Sequence, residues 1–304
     1  MSTTNTPTYL DPKTLDRIKR LDVRARLVVE GFITGQHRSP YNGLAVEFAT
    51  HREYSPGDEI KHIDWKVWSK TDRLYIKEYE EETNLKCTML LDCSKSMAYG
   101  EGWSKFDYAA TCAASLGYLL HTQQDAVGLV AFHNKIIKNL PSSSHPSHLK
   151  LIMHEMENLK PHDKSDINNV FGDLARQIRR RGLIVLVSDL FMDTKTLAES
   201  LRQFRLRKHE VIVFHVMHDD ELTFPFQDNT LFRGLEEDVQ LHTEPRALRK
   251  SYLEAVDRFL EEVRKTCASF GIDYVPLSTK DPLDAALAGY LSFRQKTRRQ
   301  IRGR

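Results

Sequence analysis

Asp92, Ser94 and Ser96 stand two residues apart directly after the apolar run Thr88-Met89-Leu90-Leu91. One carboxylate and two hydroxyls at that spacing are the beginnings of a site for a hard divalent cation. If the chain stays extended beyond Asp92, alternate side chains leave one face and can converge on one point. Oxygen ligands of low total charge suit magnesium, which takes octahedral coordination at roughly 2.0–2.1 Å and keeps several waters; manganese and calcium are the alternatives. So few protein anions leave the metal electron-poor and ready for an acidic ligand from outside. The pattern therefore reads as a receptor for a partner's carboxylate rather than as a catalyst. A second carboxylate, Asp189, closes the later apolar run Leu183-Ile184-Val185-Leu186-Val187.

The elements that must hold these groups follow from periodicity. Lys86 to Leu91 is the first strand, and the next helix carries Phe106, Ala109, Ala110, Ala113, Leu116, Gly117 and Leu120 at a 3/4 spacing with one wet face. Ala126 to Phe132 is the next strand, with Ile136 to Leu140 as its potential partner. His148 to Leu159 and Asp166 to Arg180 are helical patterns, and Leu183 to Val187 has the composition of a doubly buried strand. Thr194 to Arg207 is helical and Val211 to Phe214 extended. Residues 221 to 243 are irregular or hairpin-like, a long helix runs from about Leu248 to Cys267, Ile272 to Leu277 is the last strand, and Pro282 to Phe293 the last helix. Strands alternating with helices predict an α/β fold with a mostly parallel sheet covered on both faces. Ligands of such sheets bind beyond the carboxyl ends of the strands, where Asp92 and Asp189 both fall.

Ahead of this alternation, Asp11-Pro12 is a helix-opening pair, and the helix carries Leu15, Ile18 and Leu21 to about Glu30. Val46-Glu47-Phe48 and Leu74-Tyr75-Ile76 flank Ser55-Pro56-Gly57-Asp58, which has the residue order of a type II turn. The chain thus divides into a helix over 1–30, a small β-rich unit over 31–85, the α/β domain over 86–293 and a basic tail over 294–304.

Composition excludes several classes. Forty-four lysines and arginines against 42 acids in 304 residues give a net charge of +2, too even for general coating of nucleic acid or membrane. No basic start precedes an apolar stretch and no apolar segment could span a bilayer, which points to the cytoplasm. The four cysteines, Cys87, Cys93, Cys112 and Cys267, lack the spacing of zinc or redox motifs and are expected as buried thiols.

The series Asp92-x-Ser94-x-Ser96, then Ser165-Asp166, then Asp189 resembles the metal-ion-dependent adhesion site of von Willebrand factor A domains. That resemblance implies magnesium held by Asp92, Ser94, Ser96, a second-loop ligand at Ser165 or Asp166, and Asp189, with a partner's acid completing the shell. The blocks Gly35-x-His37-x-Ser39, Arg52-x-Tyr54-x-Pro56-Gly57-Asp58, Ile63-Asp64-Trp65, Lys105-Phe106-Asp107-Tyr108-Ala109-Ala110 and Asp125-Ala126-Val127-Gly128-Leu129 resemble domain-of-unknown-function family 58 over about residues 15 to 290. This family implies a von Willebrand A-like sheet after a β-rich unit. It also implies a gene beside a MoxR-type AAA+ ATPase, with which the protein acts in chaperone-like assembly or metal insertion on a client.

Other readings compete. Aspartate and serine also serve as turn and cap residues. Arg52, Asp58, Asp64 and Trp65 read as a structural cluster, Trp68 and Tyr54 as core, and His133, His145, His148 and His154 as surface-loop histidines rather than a zinc cluster. His215, His218, Asp219 and Asp220 point to the same rim, with a solvated loop as the favoured account. No P-loop, His-Glu-x-x-His or Gly-x-Ser-x-Gly motif occurs, and no catalytic residue is assigned. A metal-dependent phosphohydrolase with Asp220 or His218 as base, and nucleic-acid binding through Arg179, Arg180, Arg181 and the tail, are the alternatives.

Overall fold

The computed structural model describes Leu15 and residues 17–36, 51–53, 75–77, 85–163, 167–178, 181–235, 240–284 and 287–288. The chain divides into two compact units, residues 34–84 and the remainder on either side of them. In the smaller unit β1 (His51–Glu53) pairs antiparallel with β2 (Tyr75–Lys77), Arg52 facing Ile76. Val46 to Phe48, the Ser55-to-Asp58 turn, Tyr54, Asp64, Trp65 and Trp68 lie outside the described residues.

The larger unit opens with α1 (Leu21–Gln36). The single helix expected from Asp11 to Glu30 is interrupted, because residues 17–20 are not helical and α1 begins afresh at Leu21. The reason is tertiary: the Leu21 N–H, which no earlier turn of this helix can satisfy, donates to Glu157 Oε1 at 2.7 Å. The alternating elements follow as β3 (Lys86–Asp92), α2 (Lys105–Thr122), β4 (Ala126–Phe132), β5 (Ile136–Ser143), α3 (Pro146–Asn158), α4 (Ile167–Gln177), β6 (Leu183–Ser188) and α5 (Thr194–Leu206). After them come β7 (Glu210–Met217), the short α6 (Asp219–Thr223), a hairpin of β8 (Thr230–Arg233) and β9 (Gln240–Thr243), α7 (Pro245–Ser269) and β10 (Asp273–Ser278). The six-stranded sheet has the order β10-β7-β6-β3-β4-β5. Its pairings are parallel except for the antiparallel edge strand β5. This is the mostly parallel, von Willebrand A-like α/β sheet expected from the sequence.

Both faces are covered. Met89, Leu91, Val185 and Val187 point to a core shared with α1, α2 and α3. Leu90, Ile184 and Leu186 point to another shared with α4, α5 and α7. Period-two alternation makes one strand feed both cores, each such side chain contributing about 1.5–3 kcal/mol by leaving water. Here α2 departs from its expected wet face: Tyr108, Thr111, Cys112, Ala114, Ser115 and Leu119 are buried as well. Its polar positions tolerate this because Thr111 Oγ1 donates to the Asp107 carbonyl and Ser115 Oγ to that of Thr111. All four cysteines are free and buried. Most of the expected helix from Pro282 to Phe293, and the basic tail, lie outside the described residues. Among the described residues no helix is long and apolar enough to cross a membrane.

Candidate functional site

Strand order creates the site. The chain leaves β3 for β4 on one side and later returns to β6 on the other, so β3 and β6 are neighbours whose carboxyl ends flank a topological switch point. Asp92 is the last residue of β3, and Ser188-Asp189 closes β6. Ser188 Oγ donates to Asp92 Oδ2 at 2.6 Å, tying the two strand ends together. The other carboxylate oxygen, Asp92 Oδ1, accepts the Ser94 N–H at 2.8 Å. That bond turns the chain out of the strand.

Beyond Ser94 the backbone enters a short 3-10 turn, Lys95–Ala98, rather than continuing extended. The two serines nevertheless converge, with Ser94 Oγ 3.1 Å from Ser96 Oγ. Ser96 also hydrogen-bonds the Asp189 side chain. Asp92, Ser94, Ser96 and Asp189 are therefore brought together in one buried, all-oxygen cluster. Ser165 and its rival Asp166 lie outside the described residues, but the segment just before them is fastened to the same loop. The Lys95 N–H donates to the Asp163 carbonyl at 2.8 Å, and the His162 N–H donates to the Cys93 carbonyl at 2.9 Å.

A residue missed from the sequence completes the electrostatics. Lys105, 2% exposed, places its Nζ 2.7 Å from Asp189 Oδ2 and 2.7 Å from Glu221 Oε1 on α6. It is the first residue of α2, next to the Ser104 cap and its capping box with Asp107. A cation at the positive end of a helix dipole is misplaced unless something else holds it. That misplacement was the available signal. Burial, with the neighbouring Asp189 charge second, pushes the Asp92 carboxyl up to about 7. Burial also pushes Asp189 upward, but the Lys105 ammonium, with hydrogen bonds from Ser96 and the Phe191 N–H, outweighs it and leaves this carboxyl below its ordinary value. Burial opposes the charge on Lys105, yet Asp189 and Glu221 together raise its pKa.

His215 was also overlooked as a support. In its neutral form Nε2–H donates to the Asp189 carbonyl at 2.8 Å and Nδ1 accepts from Tyr274 Oη at 2.8 Å. Burial holds its pKa down at about 4, so the ring stays neutral in that role. The segment after it is not the solvated loop favoured from sequence. Tyr99 Oη donates to Asp220 Oδ2 at 3.1 Å, its ring meets His218 edge-on, and Glu221 Oε2 accepts the His218 N–H at 2.7 Å.

The surface-loop reading of His133 is likewise corrected. His133 is buried at the end of β4, and its ligand atom lies with those of His162 and Asp163 within 4.8 Å of one another, a group able to coordinate a metal ion. Among the described residues His145, His148 and His154 do not join it. The group is not poised for that task. His133 Nδ1 accepts the Asn134 N–H at 2.7 Å, so the neutral ring carries its proton on Nε2, the atom that faces Asp163.

The chain matches the model of the family described as "Protein of unknown function DUF58" over residues 50–261. It belongs to that family. Over 292 residues it is 22% identical to uncharacterized protein Rv1480 of Mycobacterium tuberculosis, covering 94% of this chain and 91% of the relative. Among solved structures it is similar to the conserved hypothetical protein BatB from Bacteroides thetaiotaomicron, with a TM-score of 0.48 and 17% identity over 70% of this chain and 99% of that one. It is also similar to the SpRpn10 VWA domain, with a TM-score of 0.39 and 13% identity over 67% of this chain and 93% of that one.

Proposed function

We propose that this DUF58 protein is a non-catalytic, cytoplasmic interaction module that holds a magnesium ion at the sheet rim and through it recognises an acidic residue of a protein partner. The observation that carries this reading is the convergence of four oxygen-bearing side chains from two strand ends: Ser188, next to Asp189, is bonded to Asp92, Ser94 Oγ lies 3.1 Å from Ser96 Oγ, and Ser96 bonds the Asp189 carboxylate. The donors are all hard oxygen, and a divalent cation would displace the proton that burial keeps on Asp92. Asp92 and Asp189 would hold the ion with Ser94 and Ser96 as neutral ligands, and Ser165 or Asp166 would be the second-loop ligand. Bound magnesium supplies a Lewis-acidic position still open to an outside carboxylate. The chain's own part is to orient and to exclude water. Ser188 fixes Asp92, His215 fixes the Asp189 backbone, and the turn at Ser94 brings both hydroxyls inward.

The family resemblance suggests the partner, a MoxR-type AAA+ ATPase with which the module would act on a client during assembly or maturation. The test is capture of a purified MoxR-type AAA+ ATPase, with magnesium, with chelator, and with Asp92→Ala. Capture only by the wild type in magnesium supports the reading. Capture indifferent to chelator and to Asp92→Ala defeats it, and magnesium-dependent turnover of a generic phosphate ester defeats its non-catalytic part.

A further inference from the structure

We infer that Lys105 is a tethered cation competing with the divalent ion for Asp189, and that Glu221 holds it in readiness to let go. The inference rests on the magnesium reading of the rim and adds what controls its loading.

Three observations support it. The ammonium is fully inside the protein, so its contact with Asp189 Oδ2 is little screened by solvent. It is bonded to a carboxylate at each side, so losing Asp189 would leave it one anionic partner and not strand it. Glu221 is itself fixed, since its other oxygen accepts the His218 N–H, and it is 24% exposed where Lys105 is 2% exposed. The lysine therefore has a second anchor on the solvent side.

Competition follows from geometry. An ion using Asp189 would meet a positive charge already on that carboxylate, and like charges a few ångströms apart repel strongly at low effective dielectric. Loading then requires Lys105 to withdraw toward Glu221. Because Glu221 also caps α6, and Tyr99 at the end of the serine turn bonds Asp220 in the same helix, loading the site would be felt by α6. Lys105 thus makes the affinity of the site for the ion weaker than the ligand set alone would give.

The prediction separates a competitor from a structural strut. Removing a strut loosens the ligands and weakens ion binding; removing a competitor tightens it. The experiment is calorimetric titration of the folded full chain with magnesium chloride alone, for wild type, Lys105→Gln, Lys105→Arg and Glu221→Gln, with Asp92→Ala as control. Lys105→Gln keeps hydrogen-bond donors beside Asp189 and removes only the charge, and magnesium should bind roughly tenfold more tightly or better. Lys105→Arg should restore weak binding, and Glu221→Gln, which leaves Asp189 as the lysine's sole charged partner, should weaken it severalfold. Equal or weaker binding by folded Lys105→Gln overturns the inference. Should that variant not fold, Glu221→Gln decides: weaker binding sustains the competitor and unchanged binding removes it. Wild-type binding that survives Asp92→Ala sinks the magnesium reading itself. A wild type that ignores the ion while Lys105→Gln takes it up sinks only that reading and keeps the lysine as the competitor.

Discussion

Two groups of potential metal ligands sit close together at the same end of the sheet, and they are built differently. Around Asp92 and Asp189 the described side chains Asp92, Ser94, Ser96 and Asp189 are buried, each carboxylate oxygen is engaged, and neighbouring strand ends fix the distances. Around His133, one histidine is buried, Asp163 is 54% exposed, and the shortest contact between them is 3.9 Å. Asp163 sits in the left-handed region at φ +59°, and His162 spends its Nδ1 on the Lys160 carbonyl. The contrast shows that proximity of ligand atoms does not make a site. A ligand histidine also needs its other ring nitrogen to donate a hydrogen bond, and at His133 the Asn134 N–H occupies that nitrogen as a donor instead.

The comparison can be broken most sharply by truncation. Asp189→Ala leaves a buried lysine short of one partner and should cost about 3–5 kcal/mol in urea unfolding, whereas His162→Ala, on the exposed side of the other group, should cost about 0.5 kcal/mol. Equal costs would erase the distinction. Next in size is the effect of the ion: at a hundredfold excess over its dissociation constant, magnesium should stabilise the wild type by about 2.7 kcal/mol. The gain should vanish in Asp92→Ala and persist in His162→Ala, as read by thermal unfolding.

The pH dependence sharpens the same contrast. The folded pKa of Asp92, about 7, lies above its ordinary value, so the folded protein holds a proton that the unfolded chain releases. Its contribution is fully present below the unfolded pKa and is lost as pH rises through about 7. Wild type in chelator should therefore lose stability over that range relative to Asp92→Asn; a constant difference between the two would contradict the assignment. His215 acts oppositely. Its folded pKa is depressed to about 4, so its stabilising role is lost as pH falls from its ordinary value toward 4. The smallest rim effect belongs to Ser188→Ala, which removes the donor to Asp92 and an acceptor for the Leu190 N–H, and should cost about 1–2 kcal/mol.

Much of the rim was legible because a strand end followed by Asp-x-Ser-x-Ser is a local pattern, and the doubly apolar run before Ser188-Asp189 announced a second strand of the same sheet. The cation partner was not legible. Lys105 lies 84 residues from Asp189 and 116 from Glu221, and only its odd place at a helix start hinted at a distant anion. His215 sits within an apolar strand, where its type alone could not tell a ligand from a support. The helix break before Leu21 was hidden because its cap comes from Glu157.

The sequence by itself determined the alternation of strands and helices and the oxygen-rich ends of β3 and β6, because periodicity and turn chemistry act between near neighbours. Tertiary structure alone decided that β3 and β6 lie side by side, that Lys105 reaches Asp189 and that Asp92 is buried enough to keep its proton near neutrality. Those outcomes depend on strand order and on exclusion of water, and neither is carried by any one segment of chain.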